Sequence, residues 1–245
     1  MTIDKSKFIS EINACFGANG LGGMLSLETC ESFYLLTVRM LEENEKYNLT
    51  AITEPSKIIL NHYLDCATLA ARLPKGARLA DIGCGAGFPT LPLAILRPDL
   101  SITAIDSTAK RIAYVEGTAA LLGLKNVTAI AMRAEDGGRM PELREGFDTV
   151  TARAVAEMRI LTELCMPYVR IGGKFIAMKG KNAEFELAAA KKAIATLGGR
   201  GARVEMITLR HGGEELSHPL IIIDKKERCP ANYPRPYAQI SKKPL

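Results

Sequence analysis

Histidine is scarce in this chain of 245 residues: His62, His211 and His218 are the only three. So few imidazoles leave little material for a His-rich metal site or for a serine triad. Cysteine is more plentiful but scattered. Cys15, Cys30, Cys66, Cys84, Cys165 and Cys229 contain no C-x-x-C pair. That argues against a zinc site and a disulfide framework, and for reduced thiols in the cytoplasm. No apolar run reaches the about 18 residues that a membrane span needs. The opening Met1-Thr2-Ile3-Asp4-Lys5 lacks the charged-then-apolar pattern of a secretory leader. Neither a metal nor a membrane is expected as a partner.

What is present suffices for a core. With 47% of residues hydrophobic, one large domain with an extension is the expected organisation. The extension is assigned to residues 1–74, a helical cap, and the main domain to residues 75–245. The net charge of +5 is unevenly spread: up to Pro74 six basic residues face nine acidic ones, whereas from Lys225 onward six face one. A basic tail on a nucleotide-type fold suggests a polyanion, RNA first. By itself such a run is more often just a solvated end.

Periodicity predicts helices first. Phe8, Ile9, Ile12 and Phe16 repeat at helical spacing over residues 4–16, four glycines interrupt at 17–23, and a longer helix follows over 26–44 around Phe33, Leu36 and Met40. Glu42, Glu43 and Glu45 stand near its C-terminus, where the helix dipole disfavours them. Pro55 opens a further helix to about Leu73. From Ala77 the pattern changes to alternating strands and helices. Strands are predicted at 78–82, 101–105, 127–131, 147–151 and 174–178, followed by a hairpin of 204–210 with 219–224. Helices are predicted to about Leu96 and over 108–122, 155–169 and 183–197. This describes an α/β fold with a doubly wound, mostly parallel sheet ending in an antiparallel hairpin.

The stretch that carries most information is Leu79-Ala80-Asp81-Ile82-Gly83-Cys84-Gly85-Ala86-Gly87-Phe88-Pro89. A strand runs into alternating glycines and then a helix, the geometry of a nucleotide-binding turn. The spacing is not that of a dinucleotide loop, since Phe88 stands where G-x-G-x-x-G needs its third glycine. An acid two residues before Gly83 suits a ligand carrying an amine or sulfonium, which S-adenosylmethionine (SAM) has. NAD(H) is the competing ligand.

Asp106, 23 residues after Gly83, ends the second strand, where an ionised carboxylate can accept from both ribose hydroxyls. Capping of the next helix is its alternative role. Ala134 and Glu135 follow the third strand and could read an adenine edge, or form a solvated loop. Arg153 ends the fourth strand and suits a methionine carboxylate or an RNA phosphate. Phe88 could pack on the cofactor or in the core. Lys179, with Lys181 behind it, is a candidate for phosphate contact.

Taken together, Asn48-Leu49-Thr50, the Asp81–Pro89 loop, Asp106-Ser107, Lys110-Arg111, Ala134-Glu135, Arg153-Ala154-Val155-Ala156, Lys179-Gly180 and Tyr233-Pro234-Arg235 resemble the RsmG family. That family, first called glucose-inhibited division protein B, methylates guanine N7 in small-subunit 16S ribosomal RNA. The likeness runs in order over roughly residues 30–245. It implies a class I SAM-dependent methyltransferase fold and cofactor contacts at Gly83, Phe88, Ala134, Glu135 and Arg153. Asp81, Gly85, Gly87 and Asp106 complete the cofactor set, and Lys179, Arg235, Lys242 and Lys243 are assigned to RNA. The tail departs from the family pattern, because Pro236-Tyr237-Ala238 stand where a basic residue and a glycine usually follow the arginine.

Guanine N7 has a free lone pair, so its methylation needs alignment and proximity and no general base. No catalytic residue is therefore assigned. A monomer acting on the small ribosomal subunit is expected. The alternatives are a methyltransferase of a small molecule or protein, an NAD-dependent oxidoreductase, and a non-catalytic RNA-binding protein.

Overall fold

Along β1 (Arg78–Ile82) the side chains divide between two cores, as a strand's period of two requires. Leu79 joins a cluster with Phe8, Phe33, Met40 and Tyr63 of the N-terminal helices, while Ala80 and Ile82 join another with Leu161, Leu164 and Ile194. The sheet is thus covered on both faces, and the N-terminal segment shares its core with one of them. The computed structural model describes residues 3–47 and 49–245. Met1, Thr2 and Asn48, the last opening the Asn48-Leu49-Thr50 segment, lie outside the described residues.

Beside β1 stand β2 (Ser101–Asp106), β3 (Val127–Ala131), β4 (Phe147–Arg153), β5 (Val169–Met178), β6 (Gly199–His211) and β7 (Glu214–Lys225). Among the described residues they form one seven-stranded sheet in the order β3-β2-β1-β4-β5-β7-β6. Strands β1 to β5 are parallel, and β7 inserts antiparallel between β5 and β6. The order reverses between β1 and β4. In such sheets ligands bind outside the carboxyl ends of the strands at that point.

The helices differ from expectation in informative ways. Lys5–Ala18 and Leu27–Tyr47 fall where periodicity puts them. In the second, Glu43 is buried between Arg39 (3.0 Å) and Lys46 (3.1 Å), which accounts for an acid near the C-terminus. The helix opened by Pro55 is not regular: Pro55–Ile58 and Asp65–Ala70 are α-helical, but Ile59–Leu64 between them is π-helical. Strand β5 begins at Val169, five residues before the expected start, and includes Gly172-Gly173. The helix expected from Val155 begins only at Met158 and ends at Cys165. Residues 154–157 form a loop over the cleft instead. The stretch 183–197 divides into Ala183–Ala189 and Lys191–Thr196. Among the described residues no helix is long and apolar enough to cross a membrane.

Candidate cofactor and substrate site

Two adjoining cavities, of about 250 and 220 Å³, lie along the carboxyl edge of the sheet and share Gly83, Arg111 and Ala154 in their walls. The first sits over the ends of β1, β2 and β3. Ile82, Ile105, Met132 and Leu164 give it apolar walls, and Asp106, Arg111, Arg133 and Glu135 give it polar ones. The second lies over the glycine loop and is bounded by Phe88, Arg153, and Thr50 and His62 of the N-terminal segment.

The loop is stitched to β2. The amides of Gly83 and Cys84 both donate to the Ile105 carbonyl, at 2.7 and 3.1 Å. Gly83, Gly85 and Gly87 take φ of +75°, +56° and +82°, where a side chain is strained. Their surroundings separate them. A Cβ on Gly83 would lie 2.6 Å from Val155 Cγ2 and one on Gly87 2.6 Å from Leu91 Cδ1, whereas one on Gly85 would meet only Gly83 O at 3.9 Å. Gly83 and Gly87 serve packing. Gly85 keeps the space above the loop open.

Asp106 is held from two sides. Its Oδ2 accepts from the Gly85 amide at 3.0 Å and its Oδ1 from the Thr108 amide at 2.8 Å, with Arg111 Nη1 3.5 Å from Oδ2. The Thr108 bond shows that Asp106 also organises entry to the helix Ala109–Leu121. Each carboxylate oxygen retains a further lone pair, and the group lines the first cavity. Ala134 and Glu135 lie on the single turn Ala134–Gly137, where the Ala134 carbonyl already accepts from the Tyr168 hydroxyl at 2.6 Å.

Asp81 lines neither cavity. It is fully buried beneath the loop, on the same face of β1 as Leu79, and its Oδ2 accepts from Thr90 Oγ1 at 2.6 Å while Oδ1 has no hydrogen-bond partner. Burial pushes its carboxyl up to about 6, against the Thr90 hydrogen bond and the charge of Arg153. The direct ligand contact expected of this acid is absent from the cavity walls. Its visible role is to tie β1 to the helix Thr90–Leu96.

At the second cavity Phe88 packs against His62 and Arg153 together. The His62 ring stacks on it at 4.5 Å between centroids, and the Arg153 guanidinium lies 5.2 Å from its centroid. Arg153 Nη1 stands 3.5 Å from Asp65 Oδ2 and 3.3 Å from His62 Nδ1. Asp65 Oδ1 in turn lies 2.6 Å from Nε2 of His218 on β7. Burial first, then the Arg153 charge, depresses the His62 imidazole to about 4, so it is neutral at physiological pH. Sequence reasoning missed His62, Asp65 and His218. Its one available signal was a histidine set among Ile58, Ile59, Leu60, Tyr63 and Leu64.

Two of the residues assigned to RNA are engaged internally. Lys179 Nζ donates to the Ala156 carbonyl at 2.8 Å and pairs with Glu186 Oε2 at 2.7 Å. The Arg235 fork grips fully buried Glu163 at 2.8 and 2.6 Å, and its amide donates to the same carboxylate at 2.9 Å. Neither presents a free cation to a phosphate. Lys242 and Lys243, by contrast, are exposed at the end of the helix Tyr237–Lys242. Arg111 and Arg133 are exposed cations in the cavity walls that were not assigned.

Comparison with known proteins places this geometry. The family described as rRNA small subunit methyltransferase G (GidB) matches residues 29–213. The chain belongs to this family. The ribosomal RNA small subunit methyltransferase G of Clostridium perfringens (strain 13 / Type A) is 46% identical over 217 residues, 88% of this chain and 90% of its own. That of Clostridium botulinum (strain Eklund 17B / Type B) is 43% identical over 233 residues, 94% and 97% of the two chains. The crystal structure of a SAM-dependent O-methyltransferase from Thermotoga maritima superposes with a TM-score of 0.51 at 16% identity, covering 78% of this chain and 72% of that one. That likeness shows the fold, a class I SAM-dependent methyltransferase. The walls suit the methyl donor of this family: a carboxylate at the end of β2, open space above Gly85, and an apolar slot beside Ala134 and Glu135.

Proposed function

We infer that this protein transfers a methyl group from SAM to N7 of a guanine in 16S ribosomal RNA, with the small ribosomal subunit as its partner. The observation that carries the reading is the pair of adjoining cavities at the sheet's switch point, joined at Gly83 and bounded by Asp106 on one side and by Phe88, His62 and Arg153 on the other.

When bound, SAM supplies an electrophilic methyl on a sulfonium. Asp106 would accept from both ribose hydroxyls, its oxygens already oriented by Gly85 and Thr108. Ile82, Ile105, Met132 and Leu164 exclude water around the base, with Ala134 and Glu135 at its polar edge. Arg153 is suited to the methionine carboxylate, its charge offset by Asp65. His62 stays neutral beside Phe88, so the ring adds no second positive charge where the donor's sulfonium would sit. Guanine N7 carries its lone pair unprotonated, and alignment does the rest. The exposed cations Arg111, Arg133, Lys242 and Lys243 surround the cleft and tail as phosphate contacts. Lys179 and Arg235 brace the loop and tail that carry the site.

The reading includes a monomer and a cytoplasmic location, the location in keeping with six cysteines that are all free and buried. Deleting the gene and hydrolysing small-subunit RNA to nucleosides tests it. The account expects one 7-methylguanosine per 16S molecule to vanish and to return on complementation. An unchanged content would move the substrate to a small molecule or protein.

A further inference from the structure

The C-terminal segment was expected to matter only for RNA, yet one of its residues lies in the wall of the first cavity. Tyr237, the first residue of the helix Tyr237–Lys242, stands there with Leu164, Val155, Ala134 and Glu135. It is 41% exposed although it lies beside this cavity. A partly exposed aromatic ring among Val155, Leu164 and Ala134 in the cavity wall is suited to stacking on another flat ring.

The segment that presents it is tied down on several sides. Two residues before Tyr237, Arg235 grips Glu163 with both its amide and its fork. Glu163 and Leu164 are neighbours on the helix Met158–Cys165, so consecutive residues anchor the tail and form the cavity wall. Three residues beyond Tyr237, Ile240 is fully buried in the core below. Arg144 adds hydrogen bonds to the carbonyls of Cys229, Pro230 and Tyr233, at 2.9, 3.1 and 2.8 Å. The tail is therefore an ordered strap. Its path fixes the tyrosine at the cavity.

We propose that Tyr237 is a cofactor-binding residue whose ring closes the adenine end of the cleft, making the C-terminal strap part of the methyl-donor site. This rests on the reading above that the adenosine portion of SAM enters the first cavity. The strap then has two faces, with Tyr237 toward the donor and exposed Lys242 toward solvent.

Calorimetric titration of the full chain with SAM, S-adenosylhomocysteine and adenosine tests the proposal on wild type, Tyr237→Ala, Tyr237→Phe and Asp106→Ala. Tyr237→Ala should weaken all three ligands by a similar factor, roughly five-fold, and Tyr237→Phe should bind within about two-fold of wild type because the ring is kept. Circular dichroism melts of the ligand-free variants check that the strap stays folded. Wild-type affinity in Tyr237→Ala, with Asp106→Ala weakened, overturns the proposal and leaves the cavity reading intact. Loss confined to SAM, with adenosine binding unchanged, also overturns it, since the contact would not be at the base. Unaltered affinity in Asp106→Ala overturns the cavity reading and this proposal together.

Discussion

The backbone amide of Gly85 donates to Oδ2 of Asp106 across 3.0 Å, joining the apex of the glycine loop to the end of the neighbouring strand. The loop and the carboxylate are therefore one unit. Asp106→Ala removes two ligand acceptors and the clamp on the loop at once, so SAM affinity measured by calorimetry should fall about ten- to a hundred-fold, the worth of hydrogen bonds to a charged group. Asp106→Asn, which keeps one acceptor oxygen, should lose less. Unchanged affinity in the alanine variant would contradict the ribose assignment.

The three glycines of the loop should separate by phenotype. Gly87→Ala drives a Cβ to 2.6 Å from Leu91 Cδ1 at a φ of +82°. Strain and overpacking together should cost about 2 kcal/mol or more of stability. Gly85→Ala meets open space, so it should cost only about 1 kcal/mol for the left-handed backbone while weakening SAM through the volume it fills. Urea unfolding and calorimetry on the two variants measure this. Equal effects on both readouts would remove the distinction between packing and cradle.

Glu163 and Arg235 form a buried ion pair between the helix Met158–Cys165 and the tail. Breaking a buried pair leaves an uncompensated charge, so Arg235→Ala should destabilise the fold by about 3 kcal/mol or more. Lys242→Ala and Lys243→Ala, at exposed sites, should leave stability within about 0.5 kcal/mol. Each lysine variant should reduce the salt dependence of RNA binding by roughly one phosphate contact. Filter binding across a salt series decides it: slopes that stay at the wild-type value would remove these lysines from the interface.

His62 makes stability depend on pH. Its imidazole is held near 4 by burial and by Arg153, against 6.5 ordinarily. The unfolded chain takes up a proton below 6.5 that the native state refuses, so stability falls as pH drops from 6.5 toward 4, by up to about 3 kcal/mol. Asp81, raised to about 6, acts with the opposite sign: the native state holds its proton longer, and stability falls as pH rises from about 4 to 6. Comparing wild type with His62→Phe isolates the first effect. Wild type should lose ground to the variant between pH 7.5 and pH 5 in urea unfolding, and a pH-independent difference would contradict the assignment.

Much of this arrangement was legible from sequence because it is local. The apolar segment ending at Ile82, the alternating glycines and Asp106 announce a strand, a turn and a second strand end at fixed spacing, and parallel pairing brings Ile82 beside Ile105. The elements that differ are those decided by distant partners. Nothing in Ile59–Leu64 signals a π-helical turn, yet that turn carries His62 to Phe88. Ala154, at a φ of +54°, gives no hint of a left-handed backbone, so the helix was placed from Val155 when Ala154 and Val155 in fact line the cleft. Arg235 looked like a phosphate contact because Glu163, its partner, lies 72 residues earlier.

The most direct test of the account is methyl transfer from labelled SAM to small ribosomal subunits and naked 16S RNA from cells lacking this gene, with nucleoside analysis of the product. The account predicts label as 7-methylguanosine at one site in 16S RNA, reduced at sub-saturating SAM in Asp106→Ala in step with its weaker SAM binding. Label on another atom, or none on either substrate while SAM still binds, would contradict it.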